Sequence, residues 1–466
     1  MDKINETLKS LLDTHINRII EVLKQPTIFS DLLNIRKCAE LYKKYLQEAG
    51  FQKAILIETD RSPLVYGEYD CNASKTVLVY NFFDMLPMEH ETYEFKSEIT
   101  TLEQFGRCIT GRGIGTKGPG VAFINAVEGC LKAKGTMPVN VIFLAEGEEM
   151  YGSNHIPWFI EKYRKSLSNV DAVFVPSMSQ NQDGNIRSIN LGGKGFLGFE
   201  LMCTGKDWGR GPKEHDVHSS TKAIVDSPMW RLIEAINTLV NNSGQKILID
   251  GFYENVWPIT KLEKEIANKV FETFNEEAQK KRLSIDRFLN DAEGIDIVIQ
   301  NLFKPTLNVE GIPYTSIDPV GVIAHEAVAK FQSRIVANQT VDEILKKIRS
   351  HLDNRGYNDI KIKKLYGFGP GRTGLDEPIV QAILKLYQDA GLEKPIATLS
   401  PASAPVNALN NTLGIPCAGG GLGHIGREKN IEYLVIDEQN KVSGLVGNER
   451  SYIQILDNFI NLSSTQ

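Results

Sequence analysis

Apolar residues recur at helical spacing from the first turn of the chain: Ile4, Leu8, Leu11, Leu12, Ile16, Ile19, Ile20 and Leu23 predict one amphipathic helix, and Leu33 to Ala49 a second. The pattern then shortens to compact runs rich in β-branched residues, at Ala54 to Glu58, Thr76 to Tyr80 and Val139 to Leu144, with a helical stretch over Val121 to Lys134 before the last. Strands alternating with helices predict an α/β domain whose mostly parallel central sheet is covered on both faces. In such sheets, loops at the C-terminal ends of strands carry the chemistry. Asn81 to Pro87 and Glu146 to Ser153 both follow such strands.

After Gly195 the pattern changes. Leu197 to Met202, Ala327 to Val336 and Asp359 to Leu365 read as strands, and Met229 to Val240 and Val341 to Arg355 as helices. This order predicts an inserted α+β unit, a small sheet with helices on one face. The connection from Ile247 to Val309 is polar and partly helical, but Phe252, Trp257, Phe271 and Phe288 make it too apolar for a disordered linker. The α/β pattern resumes with a helix over Ile379 to Asp389 and an extended Ile431 to Ile436. The expected organisation is a discontinuous domain (1–195 and 371–466) split by an insert (196–370).

Composition narrows the function classes. A chain of 466 residues with 42% hydrophobic and 24% charged residues holds roughly two or three domains' worth of globular structure. A net charge of −6 speaks against nonspecific nucleic-acid or membrane binding. No apolar run has the length of a membrane span, and MDKINETLKSLL is not a signal sequence, so a cytoplasmic protein is expected. The six cysteines lack metal-binding spacing and suit reduced, mostly buried thiols. Cys108 and Cys417 have no histidine partner in sequence that would make them nucleophiles. His90, beside Glu89 and Glu91, is a candidate for a separate metal site, although such a polar loop is more often solvated.

Several segments, taken in order, carry a resemblance: Asn81 to Pro87, Gly111 to Pro119, Glu146 to Ser153, Asp216 to Ser219, Gly251 to Glu254, Pro305 to Gly311, Phe331 to Gln339, Pro370 to Thr373 and His424 to Asn430. Together they resemble the aminoacylase/carnosinase group of dinuclear zinc exopeptidases, almost end to end. The resemblance implies a zinc-exopeptidase-like α/β domain with an inserted lid or dimerisation domain. It also implies five metal-binding positions. Matched residue by residue, these fall on Phe82, Thr116, Met150, Ser177 and His424. A phenyl ring cannot bind zinc and a thioether binds it poorly, while even one catalytic zinc wants about three protein ligands. The sequence therefore implies no metal and no other cofactor.

The residues around this gap persist. By the same resemblance, Glu149 stands at the general base, Asp84 at the residue that orients the lost histidine, and His218 at an imidazole that reaches into the partner subunit's site to stabilise an oxyanion. Arg334, Arg372, Ser403 and His424 are expected to bind substrate, the guanidinium groups anchoring a carboxylate. Ser403 sits in a loop lacking the family's two glycines, and Ser227 replaces an asparagine beside the inserted-domain histidine. The expected function is metal-independent acyl or amide chemistry, by transfer or hydrolysis, on a small amino-acid-like or peptide substrate. The expected assembly is a homodimer through the insert. The alternatives are a non-catalytic binding or regulatory protein and a metal hydrolase with substitute ligands such as Asp84, Glu149 and His424.

Overall fold

The computed structural model describes residues 1–87, 95–186, 188–241, 244, 246–313, 321–428 and 431–462. His90 with its glutamate neighbours, and Lys429 and Asn430, lie outside the described residues. The chain divides into two compact units, Met1–Gly192 with Arg372–Thr398 and Ala408–Gln466, and Gly193–Gly371 with Leu399–Asn407. The hydrophobic pattern had grouped Leu399–Asn407 with the first of these.

The first unit is built on a six-stranded sheet in the order Lys53–Ile57, Leu64–Tyr69, Asn140–Glu146, Thr76–Phe82, Ala172–Pro176, Cys417–Gly420. The last four strands run parallel, and Leu64–Tyr69 is antiparallel to both its neighbours. Burial along Asn140–Glu146 is nearly continuous, as expected of a parallel strand covered on both faces. Four parallel strands bring four C-terminal loops to one edge, and these loops contain Asp84, Glu149, Ser177 and His424.

The helix Ile114–Lys134 is buried nearly all round and packs against Asp2–Leu23, Leu32–Ala49 and Leu445–Asn461. It starts seven residues before the predicted helical stretch. Close packing explains one of its glycines: a Cβ on Gly120 would stand 2.5 Å from the Asn81 side chain. Gly113 caps the helix at φ 75°, and the N–H groups of Gly113 and Ile114 donate to the Glu432 carboxylate at 2.8 and 3.2 Å.

Polar groups also tie these helices together. Arg18 donates to Glu128 at 2.5 Å and to Asn125 at 3.1 Å, while Asn125 and His15 meet Glu449 at 3.1 and 2.9 Å. A smaller antiparallel sheet adds Glu98–Leu102, Gly106–Thr110, Ile431–Val435 and Ile425–Glu428 to this unit.

The second unit holds an antiparallel sheet of Thr306–Gly311, Glu326–Ile335, Gly195–Thr204 and Lys361–Phe368. Leu197, Phe199, Leu201 and Cys203 alternate inward, and Phe199 stacks on its cross-strand partner Phe331 at 5.0 Å. The helices Pro228–Asn237 and Val341–Asp353 cover this face with Leu232, Ala235, Ile344 and Ile348. The connection from Ile247 to Val309 includes helices Lys261–Glu272, Glu276–Leu283 and Ile295–Phe303, the first opened by a Thr260/Glu263 capping box. No described helix is long and apolar enough to cross a membrane.

Candidate active site

The turn after Asn140–Glu146 is a single 3-10 turn, Glu149–Tyr151, closed by Gly152 at φ 104° and Ser153 at φ 53°. Contacts of Asp84, Glu148 and Tyr151 hold it. The Asp84 carboxylate, two residues past the neighbouring strand, accepts the N–H of Glu149 at 3.1 Å and of Met150 at 2.8 Å. Glu148, fully buried, accepts the Ser62 N–H at 3.0 Å and meets His155 Nδ1 at 2.6 Å. The Tyr151 ring stacks on Phe29 at 5.8 Å and lies under the Arg61 guanidinium at 3.8 Å. Glu149 is thereby carried on a turn whose backbone is fixed by side-chain contacts.

Burial dominates the electrostatics of this edge. It pushes the Asp84 carboxyl up to about 6, against the pull of the Glu149 and Met150 N–H groups. Glu146 is pushed well above the carboxylate range, again by burial first and then by the charges of Asp84 and Glu149. Tyr80 and Ser153 both donate to its Oε1, at 2.5 and 2.9 Å, while Oε2 meets no partner among the described residues. These features suit a neutral carboxyl group. Beyond Glu148, His155 continues to Asp60 through Nε2 at 2.7 Å.

The five ligand positions do not fit a dinuclear zinc site. Phe82 is half-buried and offers only its ring, and Met150 only its thioether. The Thr116 hydroxyl donates to Gly113 O at 3.1 Å on the first turn of its helix, and Ser177 Oγ pairs with Ser179 Oγ at 2.8 Å. His424 is 5% exposed, with Nδ1 2.7 Å from Gln180 O and Nε2 3.4 Å from the Tyr433 hydroxyl. Among the described residues no group of three or more His, Cys, Asp or Glu side chains is placed to hold a metal ion, so Asp84, Glu149 and His424 do not form a substitute set.

In the second unit, two expected substrate-binding residues meet. Arg334 Nη1 donates to Ser403 Oγ at 2.7 Å, Ser403 donates to Gly195 O at 2.9 Å, and the Arg334 guanidinium lies 4.5 Å from the Phe196 ring. Lys194, which the sequence reading missed, is 5% exposed, donates to Lys304 O at 2.6 Å, and is pushed down to about 8 by burial and by Arg334. His218 is exposed in the short strand Val217–His218, with Nδ1 2.9 Å from Ser220 Oγ. Arg372 belongs to the first unit, exposed, its N–H donating to Asn410 at 2.8 Å.

Other residues were not legible in advance. Lys117 is fully buried, donates to Gln25 O at 2.6 Å, and is pushed down to about 8 by burial. Glu148, His155 and Asp60 were missed because their mutual contacts cross between loops. Cys108 and Cys417 are buried thiols, pushed up to about 11 and about 12 by burial, the opposite of an activated nucleophile.

Residues 191–360 match the peptidase dimerisation domain. The chain is 26% identical over 327 residues to the Beta-Ala-His dipeptidase of Rattus norvegicus, covering 67% of this chain and 63% of that protein. It is 24% identical over 401 residues to the Cys-Gly metallodipeptidase dug1 of Schizosaccharomyces pombe, covering 80% of each. The matches to the rat and human Beta-Ala-His dipeptidases span 63% and 62% of those proteins' length. Among solved structures, a metallo-carboxypeptidase of the M20 family from Sulfolobus solfataricus superposes with a TM-score of 0.78 at 28% identity, covering 96% of this chain and 98% of the other. The dipeptidase Dug1p of Saccharomyces cerevisiae shares the fold, with a TM-score of 0.78 at 22% identity over 99% of both chains. The chain is thus homologous to the carnosinase-type dipeptidases and has their α/β fold with its dimerisation domain.

Proposed function

We propose that this protein, built on the peptidase and amidohydrolase scaffold of its homologues, is a metal-independent enzyme acting on an acyl or amide group of an amino-acid- or dipeptide-like substrate. One observation carries the reading. The Glu149 turn is completed by Asp84, Glu148 and Tyr151, while the neighbouring ligand positions hold a phenyl ring, hydroxyls and a thioether.

Zinc in the homologous site would lower the pKa of water from about 15.7 to about 7. These residues do not supply that, and a carboxylate base alone contributes only about a hundred- to ten-thousand-fold. The chemistry that fits brings its own competent nucleophile. An amine attacks an activated acyl carbon, Glu149 accepts the proton leaving the amine nitrogen, and His218 donates a hydrogen bond to the carbonyl oxygen as it gains charge. The bond to the leaving group then breaks, and the leaving group departs with the electron pair. Arg334 and Ser403 hold the substrate carboxylate, with Arg372 and His424 as further contacts.

A homodimer is part of this proposal. Its support is the matched dimerisation domain and the helix Pro228–Asn237, which packs Leu232 and Ala235 inward and leaves Trp230 61% and Ile233 36% exposed. The test offers an N-acyl amino-acid thioester with and without an amine acceptor. Glu149→Gln should lower kcat about a hundredfold or more. A wild-type protein that binds the probe without turning it over would instead make the chain a binding protein. Mixing Glu149→Gln with His218→Ala chains should restore roughly a quarter of wild-type activity if each site draws its histidine from the partner. No restoration refutes that sharing.

A further inference from the structure

The residue directly before Glu149 is a fully buried acid. The Glu148 backbone O accepts the N–H of Tyr151 at 3.0 Å and of Ser153 at 2.9 Å, so its carbonyl closes the turn while its carboxylate anchors it. Oε1 accepts the Ser62 N–H and stands 3.9 Å from Arg61 Nε, and Oε2 lies 2.6 Å from His155 Nδ1. A carboxylate charge in such a place is costly unless a cation with good hydrogen-bond geometry meets it. The Arg61 guanidinium is too far for a hydrogen bond, and it serves Phe29 O at 2.6 Å and the face of the Tyr151 ring. The imidazole is the group in hydrogen-bond contact.

His155 is 16% exposed at the first position of the helix His155–Lys162. Its other ring nitrogen, Nε2, lies 2.7 Å from the Asp60 carboxylate, which is 90% exposed in the connection between the strands Lys53–Ile57 and Leu64–Tyr69. That connection is itself ordered: Thr59 Oγ1 donates to Ser62 O at 2.8 Å and accepts the Arg61 N–H at 3.1 Å. The charged groups around the ring are Glu148, Asp60 and Arg61, and on its own helix Lys162 stands beyond Trp158, 4.5 Å from the indole ring. A neutral imidazole has one N–H and one bare nitrogen. It can donate to one carboxylate and must then turn a lone pair on the other. Two short contacts to two carboxylates fit a ring with an N–H at each end.

We propose that His155 is a positioning residue: as an imidazolium it ties the turn that carries Glu149, through Glu148, to the connection at residues 59–62. The two ends contribute unequally. At the Glu148 end, removing the cation leaves a buried charge beside the Ser62 N–H, and the turn must shift to let water reach it. The exposed Asp60 end orients the ring and is screened by salt. That a fixed turn serves catalysis rests on the proposed role of Glu149. That His155 fixes it does not.

The test reads a spectrum and an exchange rate. In full-length protein labelled with 15N-histidine, the His155 ring signal, identified by its loss in His155→Gln, should show two protonated nitrogens at about pH 7. Glutamine places its carboxamide near the Nε2 position, so this variant keeps a partner for Asp60 and takes away that of Glu148. Hydrogen exchange of the 149–153 amides should then quicken about tenfold or more, whereas Asp60→Asn, whose side-chain oxygen still accepts, should change it less than about threefold. Under the proposed chemistry His155→Gln lowers kcat about ten- to a hundredfold with KM held, since Arg334 and Ser403 lie in the other unit. Exchange that quickens while turnover stays unchanged would keep His155 as the fastener of the turn and remove Glu149 as the base. If His155→Gln does not fold, the wild-type ring signal moved by Asp60→Asn gives the charge state. A ring with one bare nitrogen at about pH 7, or turn amides that exchange in His155→Gln as in the wild type, overturns the proposal.

Discussion

His15 makes a pH-dependent contribution to stability that can be isolated by one substitution. Its side chain is fully buried, with Nδ1 2.9 Å from Glu449 and Nε2 3.7 Å from Glu128. Burial alone would lower its pKa, but the charges of Glu449 and Glu128, with the hydrogen bond that Nδ1 makes to Glu449, outweigh it and raise the value from 6.5 to about 9. A raised pKa means that the folded state holds the proton more tightly, so the contribution is fully present below pH 6.5 and is lost as pH rises through about 9. At about 1.4 kcal/mol per pKa unit, it amounts to about 3 kcal/mol.

His15→Gln removes the charge and leaves Glu449 buried with Asn125 as its neutral partner. Urea unfolding should show the variant about 3 kcal/mol less stable than wild type at about pH 6, with the gap largely closed at about pH 9.5. Lys117 and Lys194 also titrate on the alkaline side, but their lowered values favour the folded state as pH rises, and their effect cancels between variant and wild type. A gap that stays constant across this range would show that His15 acts through packing alone, and the electrostatic argument would fail.

Two further outcomes follow from the site. Protein purified without added metal should carry substoichiometric zinc, and micromolar zinc should leave its melting temperature unchanged; stoichiometric metal by elemental analysis, or a rise of several degrees, would refute the donor-set argument. Native protein should react with a thiol reagent chiefly at half-buried Cys71, because Cys38, Cys108, Cys130, Cys203 and Cys417 are buried and their thiols are pushed up to between about 11 and about 12. Rapid labelling of Cys38 or Cys417 by mass spectrometry would contradict that.

Local pattern made the fold readable where it decided the outcome. β-Branched runs gave Thr76–Phe82 and Asn140–Glu146, and the strand read over Ala327 to Val336 is Glu326–Ile335, whose burial alternates along its length. The helix start at Ile114 was hidden because Gly115, Gly118 and Gly120 are poor helix formers, and at Gly120 the Asn81 side chain leaves no room for a Cβ. A motif singled out Glu149 and His424, and both lie in loops that follow strands of the first sheet. Glu148 read as one more acid in a charged turn, since its meaning depends on Ser62 and His155. His15 sat among apolar helix positions, and its partner Glu449 is 434 residues away. Spacing along the chain carries no information about such contacts.

The Glu432 carboxylate that closes the start of the Ile114–Lys134 helix lies 319 residues from Gly113, and Gln180 reaches 243 residues to Gly423. The strand-end edge that carries Asp84 and Glu149 is therefore assembled from both ends of the chain. The strands that aim Asp84 and Glu149 occur before residue 150, but the helix start and the His424 loop close only after the segment from Cys417 onward has docked. Contacts of such long sequence separation are slow to form. During synthesis the edge would stay open until the last tenth or so of the chain emerged, so a chain cut short before Cys417 should keep much of the first sheet yet never complete the site.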